Sequence, residues 1–510
     1  MTALGKSILA FAALTAIVAA SGNTAIIYVP SQYTSIQAGV DAAFTGDTVL
    51  VAAGEYSGPG NTDILIDSIG ITIMSEEGAD RTIINCQSLL PDEWHKGFIV
   101  SNSGNAQCTI EGISVIKAGM HQDTALERVM NGGAVYCTNS RINITNCIFY
   151  KNNPGYYSGT VYASSSTLML RNCIFDSSQT EDLYAGNCNS LIISDCTFAN
   201  SVRSSIFSFN VFYVEIDYTI FDKVHGTPIN IRGGQLLAKN CTFSECGNGI
   251  FSERTSLDII YCTFQNIRAY VIRTYNADSS PLTVIKHCKF HNNSSNSIYY
   301  NCVQLGGGPA YIQYCTFINN RAAIIKSSEG GHISNCTIVN SAGKAVRLRS
   351  GGIIENSLIA FNDSSVFGPA EMSCCNVYGN TSGDYVDDIA SQARINNNMS
   401  KDPWFCDAAE ENFFLNFLSP CMPANNKCKV LIGSLGLGCK NEYACGDINY
   451  DNAVNLRDPM LLIKSVLFFS DDVINYEDAD VNGDGKLNLS DIMYMLNYFY
   501  KQGPDLQCPD

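Results

Sequence analysis

The chain has 510 residues, 46% of them apolar, and a net charge of −17. That length allows a large core and more than one domain, and it excludes a small disulfide-stapled peptide. The acidic balance excludes nucleic acid as a partner held by bulk electrostatics, and disfavours a polyanionic glycan on that footing too, although local basic sites or bridging calcium can still hold one.

The chain opens on MTALGKSILAFAALTAIVAASG, with one cation at Lys6, an apolar stretch from Ile8 to Ala20, and small residues beyond it. This is a signal-peptide pattern over 1–22, and the stretch is short of the roughly 20 residues a membrane span needs. A secreted, extracellular or surface-held protein is expected, with no integral membrane segment after cleavage.

From Asn146 a four-residue unit recurs as NCIF, NCIF, DCTF, YTIF, NCTF, YCTF, HCKF, YCTF, NCTI and NSLI. Its second positions, Cys147, Cys173, Cys196, Thr219, Cys241, Cys262, Cys288, Cys315, Cys336 and Ser357, fall every 21 to 27 residues, a period that marks a solenoid. Each unit alternates in short strand patterns such as RINITNC and SLIISDC, without a helix-length apolar period or a leucine framework. Stacked β-coils follow, each paired with coils about 4.8 Å above and below.

The Cys positions and the Phe/Ile positions two residues on should form inward ladders. Asn200, Asn266, Asn292, Asn319 and Asn340, four residues after the Cys position, are expected to stack and hydrogen-bond along a turn. In-register stacking suits disulfide geometry poorly, so the ladder thiols should be free and act as small buried hydrophobes.

In the second strand of each coil, alternation turns Tyr136, Tyr162, Tyr184, Phe207, Asn230 and Phe251 outward. Such a row suits an extended sugar chain, and it equally suits plain ring stacking beneath a covering loop. Glu215, Asp217, Asp222, Arg232, Glu253, Arg254, Arg273, Arg347 and Arg349 supply charge nearby. Asp217 and Glu253 are the candidate catalytic carboxylates, because glycosidases need a carboxyl pair about 5 to 9.5 Å apart. His121, Asp123 and Glu127 form a weaker candidate on an excursion from the coil.

These coils resemble the right-handed parallel β-helix, or pectate-lyase-like, superfamily over about Ile26 to Cys439. YVPSQYTSIQAGVDAAF resembles the opening of such proteins, with an amphipathic helix from Ile36 to Phe44 as a cap. SKDPWFCDAAEENFFLNFLSPC is similar to their closing cap. The resemblance implies a domain over 26–440 and a carbohydrate-active, hydrolase or lyase, or adhesive role. The chain lacks the GHG and RIK strings of polygalacturonases and the WIDH and RxPxxR strings of pectate lyases, and its one NTD, Asn61 to Asp63, stands without them.

DVNGDGKLNLSD, Asp480 to Asp491, places oxygen donors at calcium-loop positions 1, 3, 5, 7, 9 and 12: Asp480, Asn482, Asp484, the Lys486 carbonyl, Asn488 and Asp491. DINYDNAVNLRD repeats the frame with Asp447, Asn449, Asp451, the Ala453 carbonyl, Asn455 and Asp458. Each loop feeds an apolar helix pattern, and two Ca2+ ions are expected.

The loops lack an entering helix before Asp447 and end in Asp. They resemble a type I dockerin over Cys445 to Cys508, within a domain 445–510, which implies a cohesin partner on a scaffold or surface. Family members often carry Ser-Thr at positions 10 and 11, where this chain has Leu456-Arg457 and Leu489-Ser490. The proximity of the ends in the family implies a Cys445–Cys508 disulfide, with Cys421–Cys428 a weaker second pairing. The fold class expected is mainly β, a right-handed parallel β-helix solenoid followed by a small α-helical calcium-binding dockerin domain.

Overall fold

The computed structural model describes residues 24–87, 94–119, 132–155, 158–275, 281–293, 302–321, 324–326, 331–439, 445–448, 454–468, 479–501 and 503–508. The expectations for 1–22, for His121, Asp123 and Glu127, and for Asn449, Asp451 and Ala453 lie outside those residues. The described chain is mainly β, a right-handed parallel solenoid of about 16 turns in all. It divides into two compact units, one ending at Ile174 and one starting at Phe175.

Most coils contribute three short strands, one to each of three parallel sheets. In the first unit one sheet orders Ile26–Val29, Thr48–Val51, Thr72–Ser75, Gln107–Glu111, Arg141–Thr145 and Thr167–Arg171. A second sheet contains Val135–Thr138 and Gly159–Ser164, and a third contains Ser114–Ile116 and Ile148–Tyr150. In the second unit three parallel sheets run from Ser190–Ser194 to Glu371–Ser373, from Glu181–Gly186 to Ser364–Phe367, and from Thr197–Ala199 to Asn376–Tyr378. The opening helix spans Ile36–Asp41, where Ser35 Oγ accepts from the Ala38 amide, and ends short of the expected Phe44.

The third sheet carries the core of the second unit. Phe198, Phe221, Phe243, Phe264, Phe290 and Phe317 pair in strict register and are fully buried. Their rings stack with centroids 4.4 to 5.2 Å apart. That spacing is the inter-strand distance of a β-sheet, so ring stacking and ladder pairing reinforce each other.

The residue at the Cys position closes the turn into this sheet. Cys241 and Cys315 donate from Sγ to the carbonyl two residues earlier, at 3.0 and 3.3 Å. Thr219 and Ser357 do the same with hydroxyls at 2.9 and 2.8 Å. One local bond thus explains why Cys, Thr and Ser interchange here, and the ladder cysteines are buried and form no disulfide. Burial pushes the related Cys246 thiol up to about 12, which keeps it an inert S–H donor. Replacing Cys315 by Ser should keep the turn bond, and a denaturation curve should show a loss of about 1 kcal/mol or less.

The first letter of each repeat unit has its own task. Asn146, Asn172, Asp195, Tyr218, Asn240, Tyr261, His287, Tyr314, Asn335 and Asn356 all have φ between 43° and 56°. Asn and Asp visit that left-handed region more readily than most residues. Asn200, Asn266, Asn292, Asn319 and Asn340 also sit at positive φ, at the next corner of the coil.

The buried amide ladder stands one residue further along than expected. Asn293 Oδ1 accepts from the Ile267 amide, Asn320 Oδ1 from Asn293, Asn362 Oδ1 from Ser341, and Asn380 Oδ1 from Asn362. The corner residues must turn the backbone, so their side chains point outward; the following residue points in and meets the unpaired amides.

One buried group stands out on the second sheet. Asp182 is fully buried, with Ser201 Oγ donating to it at 2.5 Å. Burial outweighs the help of Ser178, Ser201 and Ser205 and raises its carboxyl to about 7. A carboxyl raised on folding adds stability that is complete below its unfolded value of 3.8 and is lost as pH rises through the folded value. Asp182→Asn should therefore raise stability by about 1 kcal/mol or more at pH 8 and leave it nearly unchanged near pH 4, read from melting curves at both pH values.

The solenoid's closing cap lies in the second unit. Phe405–Asp407, Asn412–Asn416 and Leu437–Cys439 form a small sheet. Phe413, Leu415, Cys421 and Ile432 pack on Val339, Leu358 and Ala360 of the third sheet. Disulfides Cys374–Cys428 and Cys406–Cys439 fasten it. This corrects the Cys421–Cys428 pairing: Cys421 turns into the cap core, where Asn376 Nδ2 donates to its sulfur at 3.2 Å, and Cys428 reaches Cys374 instead.

Candidate functional site

The outward stripe on the second sheet is real in register. Tyr136 pairs with Tyr162 in the first unit. In the second unit Tyr184, Phe207, Asn230, Phe251, Arg273 and Gln304 succeed one another from strand to strand. Tyr136 and Tyr162 stack at 5.4 Å and 9°, and Tyr184 and Phe207 at 5.3 Å and 17°. Rings stacked this way turn their faces on each other and leave edges for a ligand.

Phe251 differs. Its register neighbours are an amide and a guanidinium, Asn230 and Arg273, so among the described residues no ring stacks on it within the ladder. It lines an open cavity of about 410 Å³ with Thr227, Asn230, Arg232, Asn248, Ile250, Ala269, Tyr270 and Arg273. Strands Ile229–Arg232, Ile250–Glu253 and Ile272–Tyr275 supply the floor, and the connections preceding them supply the wall.

Asn248 braces that wall, donating to Thr227 Oγ1 at 3.2 Å and accepting from the Tyr270 amide at 3.3 Å. The Arg273 guanidinium lies 4.5 Å from the Tyr270 ring centre, and that of Arg232 lies 5.5 Å from Phe207. Asn230 Oδ1 is buried without a hydrogen-bond partner. The cavity thus offers an apolar ring, two cations and an unsatisfied acceptor, a set that suits a polar ring molecule bearing hydroxyls. Sequence reasoning singled out Phe251, Arg232 and Arg273 through alternation and charge. It missed Thr227, Asn248 and Tyr270, because no period marks residues in the connections.

The two candidate carboxylates lie on different sheets. Glu253 ends the strand beside the cavity, 3.8 Å from Arg232. Asp217 ends Tyr213–Asp217 of the first sheet, where it accepts from Asn240 Nδ2 at 2.9 Å and sits 3.5 Å from Lys239 Nζ. Glu215 pairs with the same lysine at 2.9 Å. The fold does not bring Asp217 and Glu253 together as a facing pair.

Residues 445–508 build a second candidate site around their own core of Ile448, Leu462, Ala479, Val481, Ile492 and Met495. Helices Arg457–Phe468 and Leu489–Lys501 follow the two loops, and Cys445 is bonded to Cys508. Position 9 donates its amide to the position 12 carboxylate at 2.8 Å in both loops, from Asn455 to Asp458 and from Asn488 to Asp491. The second loop turns at Gly485, φ 77°, whose amide donates to Asp480 at 2.8 Å.

Asp447, Asp458, Asp480 and Asp491, positions 1 and 12 of each loop, are all buried. Burial, with Asp480 and Asp484 nearby, pushes the Asp491 carboxyl up, and its Oδ1 has no hydrogen-bond partner. Carboxylates gathered out of water need a compensating cation, so these residues fit calcium. Among the described residues no three His, Cys, Asp or Glu side chains converge tightly enough to hold a metal by themselves. An EF-type shell draws part of its donors from amide and backbone carbonyls instead. Leu456 and Leu489 are exposed, as are Met460 and Met493 four residues on, so the two repeats present matching apolar pairs.

Solved structures similar to this chain include the catalytic domain of a GH87 α-1,3-glucanase in complex with nigerose, at 12% identity and TM-score 0.43, covering 69% of this chain and 68% of that one. The catalytic unit of the GH87 α-1,3-glucanase from Streptomyces thermodiastaticus matches at 10% identity and TM-score 0.40, over 66% and 65%. The surface adhesin PfbA of Streptococcus pneumoniae matches at 12% and 0.33, over 69% and 89%. At these identities the likeness concerns the fold alone. No curated protein matches. The model of the right handed beta helix region matches residues 70–235, 158–303 and 227–400, and that of the dockerin type I domain matches 445–500. The chain belongs to the right handed beta helix family and carries a type I dockerin domain.

Proposed function

We propose that the protein is a secreted polysaccharide-binding or polysaccharide-degrading β-helix, attached through its calcium-dependent dockerin to a cohesin-bearing scaffold or surface. Type I dockerins as a class bind calcium and cohesins. The observation that carries the reading is the cavity at Phe251, where an uncovered ring, amides and guanidiniums meet on the outward face of a solenoid. An extended chain laid along the axis of the second unit meets the edges of Tyr184 and Phe207 and the face of Phe251, and in the first unit Tyr136 and Tyr162 offer their edges in the same way.

Two calcium ions complete the dockerin in this reading. Asp447, Asn449, Asp451, Ala453, Asn455 and Asp458 hold one; Asp480, Asn482, Asp484, Lys486, Asn488 and Asp491 hold the other. For bond cleavage, Glu253 at the cavity rim and Asp217 on the neighbouring sheet are the proposed carboxylates. Their separation onto different sheets favours a second reading, a noncatalytic surface or adhesion module with the same glycan contact.

Incubation of the calcium-loaded protein with plant, algal and bacterial polysaccharides separates the two. Release of reducing ends marks a hydrolase, and release of products with an ultraviolet-absorbing unsaturated end marks a lyase. Retention on a polysaccharide without release marks the binding module.

A further inference from the structure

The outward stripe of the second unit changes chemistry beyond Phe251. Gln304, Ile325, Arg347 and Phe367 continue the register from Arg273. Lys344 Nζ lies 3.5 Å from the Phe367 ring centre, and the Arg347 guanidinium lies 5.4 Å from it. Arg347 Nε is buried without a hydrogen-bond partner, and burial together with Arg347 draws the Lys344 ammonium below the ordinary lysine value. Asp387 is the acid near Lys344, and Glu253 is the one near Arg232. Among the described residues no carboxylate pairs with Arg273.

Two cationic clusters on aromatic rings thus stand on one face of a chain whose net charge is −17. Three strand steps separate Arg273 from Arg347, about 14 Å at the usual inter-strand spacing. A solubilising surface would not place Lys344 and Arg347 side by side over one ring with the Arg347 Nε turned inward. Guanidinium groups beside aromatic rings can still present N–H donors to planar or tetrahedral oxyanions, which they bind in bidentate fashion.

Resting on the polysaccharide reading above, we propose that this face is a track for a glycan bearing oxyanions, carboxylate or sulfate, with Arg232 and Arg273 taking one anionic sugar and Lys344 and Arg347 another. The chain's overall acidity then works as a filter: a polyanion is repelled everywhere except along this strip, so recognition depends on the placed cations rather than on bulk charge.

The test compares glycans that share a backbone. Affinity electrophoresis of the full calcium-loaded chain is run with de-esterified against methyl-esterified pectin for the carboxylate arm, and with dextran sulfate against dextran for the sulfate arm. Binding to one anionic member at least tenfold tighter than to its neutral partner is expected, with at least a tenfold loss in Arg273→Met combined with Arg347→Met. Circular dichroism melts of the variant check that it is folded, and Lys344→Met serves as a second variant. Equal binding to charged and neutral partners, or anionic binding unchanged in the folded variants, overturns the oxyanion assignment and leaves the polysaccharide reading standing. Binding to none of these glycans overturns the assignment, and a failure on the wider panel above overturns the polysaccharide reading with it.

Discussion

Chelating calcium should unfold the dockerin domain and leave the solenoid standing. Four aspartates at loop positions 1 and 12 are buried, and without a cation their mutual repulsion and lost hydration oppose folding of a core of only a few apolar side chains. A site saturated a hundredfold over its Kd contributes about 2.7 kcal/mol, so two sites account for most of what a module of this size holds. The expected result is a two-step melt in EDTA, with a low-temperature helical transition that calcium abolishes, while the β signal melts where it did before. Asp491→Ala should reproduce half of this effect with calcium present. A dockerin that melts identically with and without calcium would show that the buried carboxylates are compensated within the chain.

Phe264→Ala should be the most damaging single change in the solenoid. The ring is fully buried and stacked on Phe243 at 4.5 Å and Phe290 at 5.1 Å. Its removal leaves a void between two rings held apart by the ladder register, which cannot close without breaking strand pairs. Buried Phe→Ala changes cost about 3–5 kcal/mol. Because each coil contacts only its neighbours, the loss should also appear as a broader denaturation transition and as faster amide exchange in strands Thr242–Ser244 and Lys289–His291. Tyr261→Asn, at an exposed corner with φ 56°, should in contrast be neutral or stabilising.

The particular residues show why some of this architecture can be read from the chain and some cannot. Cys241, Cys262 and Phe243, Phe264 recur because every coil needs the same inward turn bond and the same ring beneath the next, so a local requirement repeats as a visible period. The dockerin loops are legible for a related reason: calcium fixes oxygen donors at set spacings whatever surrounds them. The Cys374–Cys428 bond joins a coil to the cap across 54 positions and has no period to betray it. The inward amides of Asn293 and Asn320 were displaced by one residue because periodicity gives a position but not the φ that decides which way a corner side chain points. The Phe251 cavity is half legible, since alternation identifies the ring and only the fold brings Asn248 and Tyr270 over it.

The most direct test of the account is the retention of the calcium-loaded protein on a panel of immobilised polysaccharides, wild type against Phe251→Ala. An uncovered ring under a sugar contributes about 1 kcal/mol beyond its area. The account predicts retention of the wild type on at least one polysaccharide and about a five- to tenfold weaker interaction for the variant. Equal retention of both proteins, or of neither, would contradict the placing of the glycan at this cavity.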